Sequence, residues 1–265
     1  MRLTKAHAYG NDFLFVEQSA VDDVALDVLA RDVCDRHTGI GADGLIVYQP
    51  TPDGASMRLF NADGSRAEVS GNGVRGLAAL LLRADDRATP SITIHTEAGA
   101  KTLTCTDRSR SRQTFRAAMG QPVGLRQLGI VAAGESLEAV VMNMGNPQCI
   151  LLGPLPGDER FRRVGAALER HAMFPDRTNV EFVEVETPRR LRILIWERGV
   201  GPTSSSGTGS CASLVAAASF GGADREAEVI APGGAQRVEW RDDSVYLTGW
   251  AEVVCEIEWL RAAPG

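Results

Sequence analysis

The chain contains no run approaching 18 consecutive apolar residues, so a membrane-spanning helix is not expected. Its opening, MRLTKAHAYGND, lacks the apolar stretch of a secretory signal. The five cysteines (Cys34, Cys105, Cys149, Cys211 and Cys255) are odd in number, scattered, and form no CxxC pair. The four histidines (His7, His37, His95 and His171) show no HExxH-like spacing. Neither a disulfide framework nor a metal centre is therefore expected. A basic excess is missing too. Lys and Arg number 28 against 34 Asp and Glu, a net charge of −6 with the signs interspersed, so nucleic acid is not an expected partner. The default expectation is a soluble cytoplasmic protein.

What is present is enough to bury a substantial core: 265 residues, 44 % hydrophobic, room for one large domain or two smaller ones. Strand-like apolar residues between Gly, Pro, Asn and Asp breakers mark residues 2–8, 13–18, 45–49 and 56–61. Residues 22–35 instead carry Val24, Leu26, Val28, Leu29 and Val33 at helical spacing behind an aspartate. SITIHTEAGAKTLT, 91–104, reads as a hairpin turning at Glu97-Ala98-Gly99. The polar stretch 108–128 has no strong periodicity and is the expected domain junction. Beyond it, strands are expected in 137–152, 179–186 and 191–196, with a helix over 159–172.

One internal repeat stands out. Ser70-Gly71-Asn72-Gly73 precedes the apolar segment 74–83, VRGLAALLLR, and Ser206-Gly207-Thr208-Gly209 precedes 210–220, SCASLVAAASF. A helix that is apolar all round must be buried. Two such helices, each wrapped by its own strands, predict two similar α/β halves with the helix starts meeting between them. Each start would present free N–H groups and a positive dipole end to an anion. A Walker loop would need a lysine that TSSSGTGS lacks, and the G-x-S-x-G elbow of serine hydrolases is absent from both copies. Two facing starts would grip a carboxylate.

Six blocks, KAHAYGNDF (5–13), RHTGIGADGL (36–45), RLFNADGSRAEVSGNGVRG (58–76), NMGNPQ (143–148), RTNVEFVEV (177–185) and WERGVGPTSSSGTGSCA (196–212), resemble diaminopimelate epimerase. That family belongs to a cofactor-independent group of two-fold pseudo-symmetric epimerases and racemases. The resemblance implies an α/β fold of two pseudo-symmetric domains, each a strand layer or barrel round a central buried helix. It implies a first half of 1–115 with 254–265 and a second of 116–253, no cofactor, an amino-acid substrate and a homodimer. Carried over by position, the N–H groups of Gly71, Asn72, Gly207 and Thr208 would cradle the carboxylate at the reacting carbon, where removal of the α-proton develops negative charge. Asn11, Asn61, Asn146, Asn179 and Arg198 would hold the substrate, with Arg198 taking the distal carboxylate bidentately.

The family pattern is broken at its chemical centre. The two cysteines that the family uses as opposed acid and base are Ser70 and Ser206 here, and the histidine that assists one of them is Gln148. Glu197, the assisting carboxylate on the other side, is kept, and a further family cysteine is Gly76. Cys211 falls where the family also has one and reads as packing. A thiol titrates near ~8.5 and a serine hydroxyl nearer to water, about 15.7, a gap of roughly seven units or on the order of 10 kcal/mol. Two helix dipoles offset only a few kcal/mol of that. Three readings stay open: an epimerase whose cysteines have been exchanged for serine, a divergent isomerase or dehydratase using Glu197 as its base, and a non-catalytic amino-acid-binding homologue.

Overall fold

The computed structural model describes residues 1–67, 70–109 and 111–260. The first elements are β1 (Arg2–Ala8), β2 (Asn11–Glu17), α1 (Leu26–Cys34), β3 (Gly44–Thr51), β4 (Gly54–Asn61) and β5 (Arg66–Ala67). They are followed by α2 (Gly71–Leu81), β6 (Ser91–Thr96), β7 (Gly99–Ser109) and β8 (Arg112–Ala118). Next come β9 (Val123–Ala132), β10 (Glu135–Asn143), β11 (Pro147–Leu152), α3 (Asp158–Glu169), β12 (Asn179–Thr187), β13 (Arg190–Glu197) and β14 (Gly201–Thr203). The chain ends with α4 (Gly207–Phe220), β15 (Glu226–Ala231), β16 (Gly234–Trp240) and β17 (Val245–Glu258).

Among the described residues these elements form two compact units, Met1–Ala117 with 249–260, and Ala118–Thr248. The breaks fall at 117/118 and 248/249, where the sequence reading placed 115/116 and 253/254; residues 261–265, assigned there to the first half, lie outside the described residues. In the first unit the strands pair in the order β1, β2, β3, β4, β6, β7, β8, β17 and back to β1, a closed ring of eight. Two of its pairings are parallel, β2 with β3 and β4 with β6, and a helix provides each crossover, α1 and α2. In the second unit the parallel pairs are β11 with β12 and β13 with β15, crossed by α3 and α4. The order and direction of elements from β1 to β8 recur from β10 to β17. Each unit thus has the same topology, as the repeated serine-glycine motif predicted.

The central helix of each unit is the nearly all-apolar one. Val74, Leu77, Ala78 and Ala79 of α2 pack with Phe13, Phe15, Leu103 and Phe115. Cys211, Leu214, Val215 and Ala216 of α4 pack with Ile150, Ile193, Val229 and Val238. Strands between the inner and outer helices are buried on both faces. In β2, Phe13 and Phe15 face α2, while Leu14 and Val16 face the cluster that holds α1. In β12, Val180 and Phe182 pack with α3, and the alternate residue Val183 packs with α4.

Several boundaries differ from the sequence reading. The junction 108–128 is not structureless: β8 and β9 run through it. Its periodicity was hidden because polar Gln113 takes an inward position in β8 beside Phe115, and because β9 is exposed along most of its length. Helices α2 and α4 begin at their first glycine, three residues before their apolar run, and α1 begins at Leu26 rather than near Asp22. No helix among the described residues is long and apolar enough to cross a membrane.

Candidate active site

In the first unit, the serine of the repeat caps its helix. Ser70 has extended dihedrals and its Oγ accepts the Gly73 N–H at 3.2 Å, which leaves the Gly71 and Asn72 N–H groups as the first turn of α2. Space beside Gly71 is open, whereas Gly73 is held tightly: a Cβ there would lie 2.7 Å from Ile46 Cδ1. Asn72 is buried and donates to Asn11 Oδ1 at 3.2 Å, while its own oxygen accepts the Arg75 guanidinium at 2.9 Å. Asn11 is placed by a two-residue turn in which Tyr9 (φ 56°) and Gly10 (φ 85°) both take positive φ. Its amide donates to Asp43 Oδ2 at 2.7 Å.

Asp43 belongs to an ionic cluster with Arg36, Asp12 and Lys5. Burial alone would raise the Asp12 carboxyl, but hydrogen bonds from Arg36 and Lys5 outweigh it and hold it below the usual carboxylate range. Asn61 ends β4, where its amide donates to Ser65 Oγ at 3.0 Å, and the neighbouring Ala62 N–H reaches the Asp43 carbonyl. The structure therefore joins Asn11, Asn72 and the Ser70 cap, with Asn61 linked to them through Asp43.

In the second unit, Ser206 caps α4 in the same way, its Oγ accepting the Gly209 N–H at 3.1 Å, with Gly207 and Thr208 as the first turn. Gln148 is fully buried and donates to Asn146 Oδ1 at 2.6 Å. It stands in register with Asn179 across the parallel β11–β12 pair. Asn179 accepts the Arg198 N–H at 2.9 Å and donates to the Pro147 carbonyl at 3.4 Å. The Arg198 guanidinium is exposed and reaches the Asp176 carbonyl at 3.1 Å. Gln148, Asn146, Asn179 and the Glu197-Arg198 turn thus form one connected set. Burial raises the Glu197 carboxyl, against a hydrogen bond from Thr203.

Four features escaped the sequence reading. Arg75 is buried under the Tyr9 ring, 5.5 Å from its centroid, in the space that a side chain on Gly249 would fill; its i+3 spacing from Asn72 was the available signal. Asp12 and Asp43 lie inside the quoted blocks, where no role was assigned to them. Glu169, at the end of α3, receives Trp196 Nε1 and the Gly199 N–H, each at 3.0 Å, and so clamps the turn that carries Glu197 and Arg198. Glu181 is a fully buried carboxyl beside Ser206.

Known proteins resemble this chain over nearly its whole length. The family model described as diaminopimelate epimerase matches residues 3–124 and 140–254. A diaminopimelate epimerase from Desulforudis audaxviator is 41 % identical, covering 99 % of this chain and 100 % of that one. Another from Desulfitobacterium hafniense is 38 % identical, covering 96 % of each. Among solved structures, a predicted epimerase from Pseudomonas aeruginosa superposes with a TM-score of 0.73 at 17 % identity, over 98 % of this chain and 99 % of that one, a likeness of fold. With family blocks in order along the chain, a duplicated strand-and-helix unit and near full-length similarity to both bacterial relatives, this chain belongs to the diaminopimelate epimerase family.

Proposed function

We propose that the chain interconverts LL- and meso-diaminopimelate in the cytoplasm, as a homodimer, by proton transfer without a cofactor. The observation that carries this reading is the duplicated cap. In each unit a serine at the family's acid/base position opens a buried helix, and its oxygen is already held by the N–H of the third helical residue. The N–H groups of Gly71, Asn72, Gly207 and Thr208 bind the carboxylate whose charge grows as the α-proton leaves, which is where fixed donors lower the barrier. One serine hydroxyl gives a proton to the reacting carbon while the other oxygen takes one away. Asn11, Asn61, Asn146, Asn179 and Arg198 hold the rest of the molecule.

A serine in place of a thiol makes this a slow catalyst, by the roughly seven-unit gap in acidity. The same held oxygen that accepts Gly73 or Gly209 N–H offsets part of that gap by stabilising alkoxide character. A second reading, one-base isomerisation or elimination, is favoured by Glu197, whose raised carboxyl suits a general base. Proton NMR of LL-diaminopimelate in D2O separates the two. Epimerisation replaces the α-proton by deuterium as the meso isomer forms. Binding without exchange at stoichiometric protein, or loss of an amino group, would refute the epimerase reading.

A further inference from the structure

The two units allow an internal comparison at the buried side of each cap. In both, the third helical residue is a glycine pressed against the inward-facing side chain of a parallel-paired strand: Gly73 against Ile46 of β3, and Gly209 against Glu181 of β12. The first unit fills that place with a hydrocarbon. The second fills it with a carboxyl of 0 % exposure, flanked across the strands by Ile150 and Ile195. Packing alone is satisfied by isoleucine, so the carboxyl answers to something else.

Its surroundings say what. A Cβ built on Gly209 would lie 2.5 Å from Glu181 Oε1 and 3.1 Å from Ser206 Oγ, so the carboxyl and the hydroxyl flank one point at the start of α4. Among the described residues, the titratable groups coupled to Glu181 are Glu197 on β13 and Cys149 on β11, while α4 brings the Ser206 hydroxyl to the same point. Burial pushes the Glu181 carboxyl well up, and the Glu197 charge adds to it; burial and the Glu181 charge push the Cys149 thiol up to about 12.

We propose that Glu181 is a positioning residue that exchanges a proton with Ser206. The proposal rests on the acid/base role of Ser206 given above. When Ser206 removes the α-proton, the Cα–H bond breaks and a new Oγ–H bond forms. The old Oγ–H proton passes to the Glu181 carboxylate, and the electron pair stays on the substrate. In the return direction neutral Glu181 gives that proton back as Ser206 protonates the carbon. A carboxyl with a raised affinity for protons supplies the basicity that a serine in a thiol's position lacks.

The first test needs no turnover. In Ser206→Cys, the pH dependence of iodoacetamide alkylation, corrected for the parent chain with its exposed Cys255, gives the titration of the new thiol. Adding Glu181→Gln removes a like charge and lowers that midpoint by about one to two pH units. Coincident midpoints would overturn the proposal. Glu181→Ile, which installs the side chain of the first unit, gives the same shift and serves if the glutamine variant does not fold. The second test is the α-proton exchange of diaminopimelate. Glu181→Gln slows it at least tenfold and removes one ionisation from its pH profile, with ligand affinity kept, whereas Glu181→Asp retains the ionisation. An unchanged profile overturns the proposal. Absence of exchange in the parent chain refutes the epimerase reading instead and leaves the thiol titration to decide Glu181.

Discussion

The Asn179 side-chain oxygen accepts the backbone N–H of Arg198 at 2.9 Å, tying the start of β12 to the turn after β13. Asn179 is buried, so Asn179→Ala leaves a donor without its partner and costs about 1–3 kcal/mol of stability. The same variant frees the Arg198 backbone, so diaminopimelate affinity falls as well. Chemical denaturation with titration calorimetry checks both. Unaltered affinity in a destabilised protein would confine Asn179 to structure.

Glu169 predicts acid sensitivity. Burial would raise its carboxyl, but the Trp196 and Gly199 N–H groups, with Arg170 and Arg177, hold it below the ordinary glutamate value. A folded-state value below the unfolded one contributes stability that is complete above the unfolded value, near ~4.3, and is lost as the pH falls through the folded one. Thermal melts from pH 6 to pH 3 should show a loss that Glu169→Gln reduces. Parallel curves for the two proteins would contradict the assignment.

At Gly76, where the resemblance implies a cysteine, the space is taken. A Cβ on Gly76 would lie 2.8 Å from Phe15 Cζ. An exposed helical glycine gains ~1 kcal/mol on change to alanine. At Gly76, overpacking of about 1–3 kcal/mol reverses the sign. Gly76→Ala should lower the denaturation midpoint, and Phe15→Leu in the same chain should recover part of the loss.

Restoring the family's thiols tests the serines directly. In Ser70→Cys/Ser206→Cys both thiols sit at helix starts, where the dipole favours the thiolate. Exchange of the diaminopimelate α-proton should rise by several orders of magnitude. Gln148→His should raise it further by supplying the assisting base, although the change gives up the Gln148–Asn146 hydrogen bond. A folded triple variant that binds diaminopimelate and exchanges nothing would assign the site to another reaction.

The features legible in the sequence are those whose cause is local. Ser70 and Ser206 each precede Gly-x-Gly and a nearly all-apolar run, which is enough to specify a cap, a helix and its burial. The hairpin at 91–104 is likewise a short-range matter of turn chemistry, and appears as β6 and β7. Site residues carried by family blocks were named by position, and the structure supplied their connections: Asn11 to Asn72, Gln148 to Asn146, Asn179 to Arg198.

Tertiary structure alone decided the rest. Strands buried on both faces, such as β2 and β12, lose the alternation that tells which side chain points where, so NVEFVEV does not announce that Glu181 faces α4. Closure of the first barrel joins Arg2–Ala8 of β1 to the far end of the chain in β17, with Arg2 opposite Glu258. Arg75 is placed by the same closure, against Gly249 of that strand. Such contacts depend on which distant strand arrives alongside, and a local pattern of residue types does not encode that choice by itself.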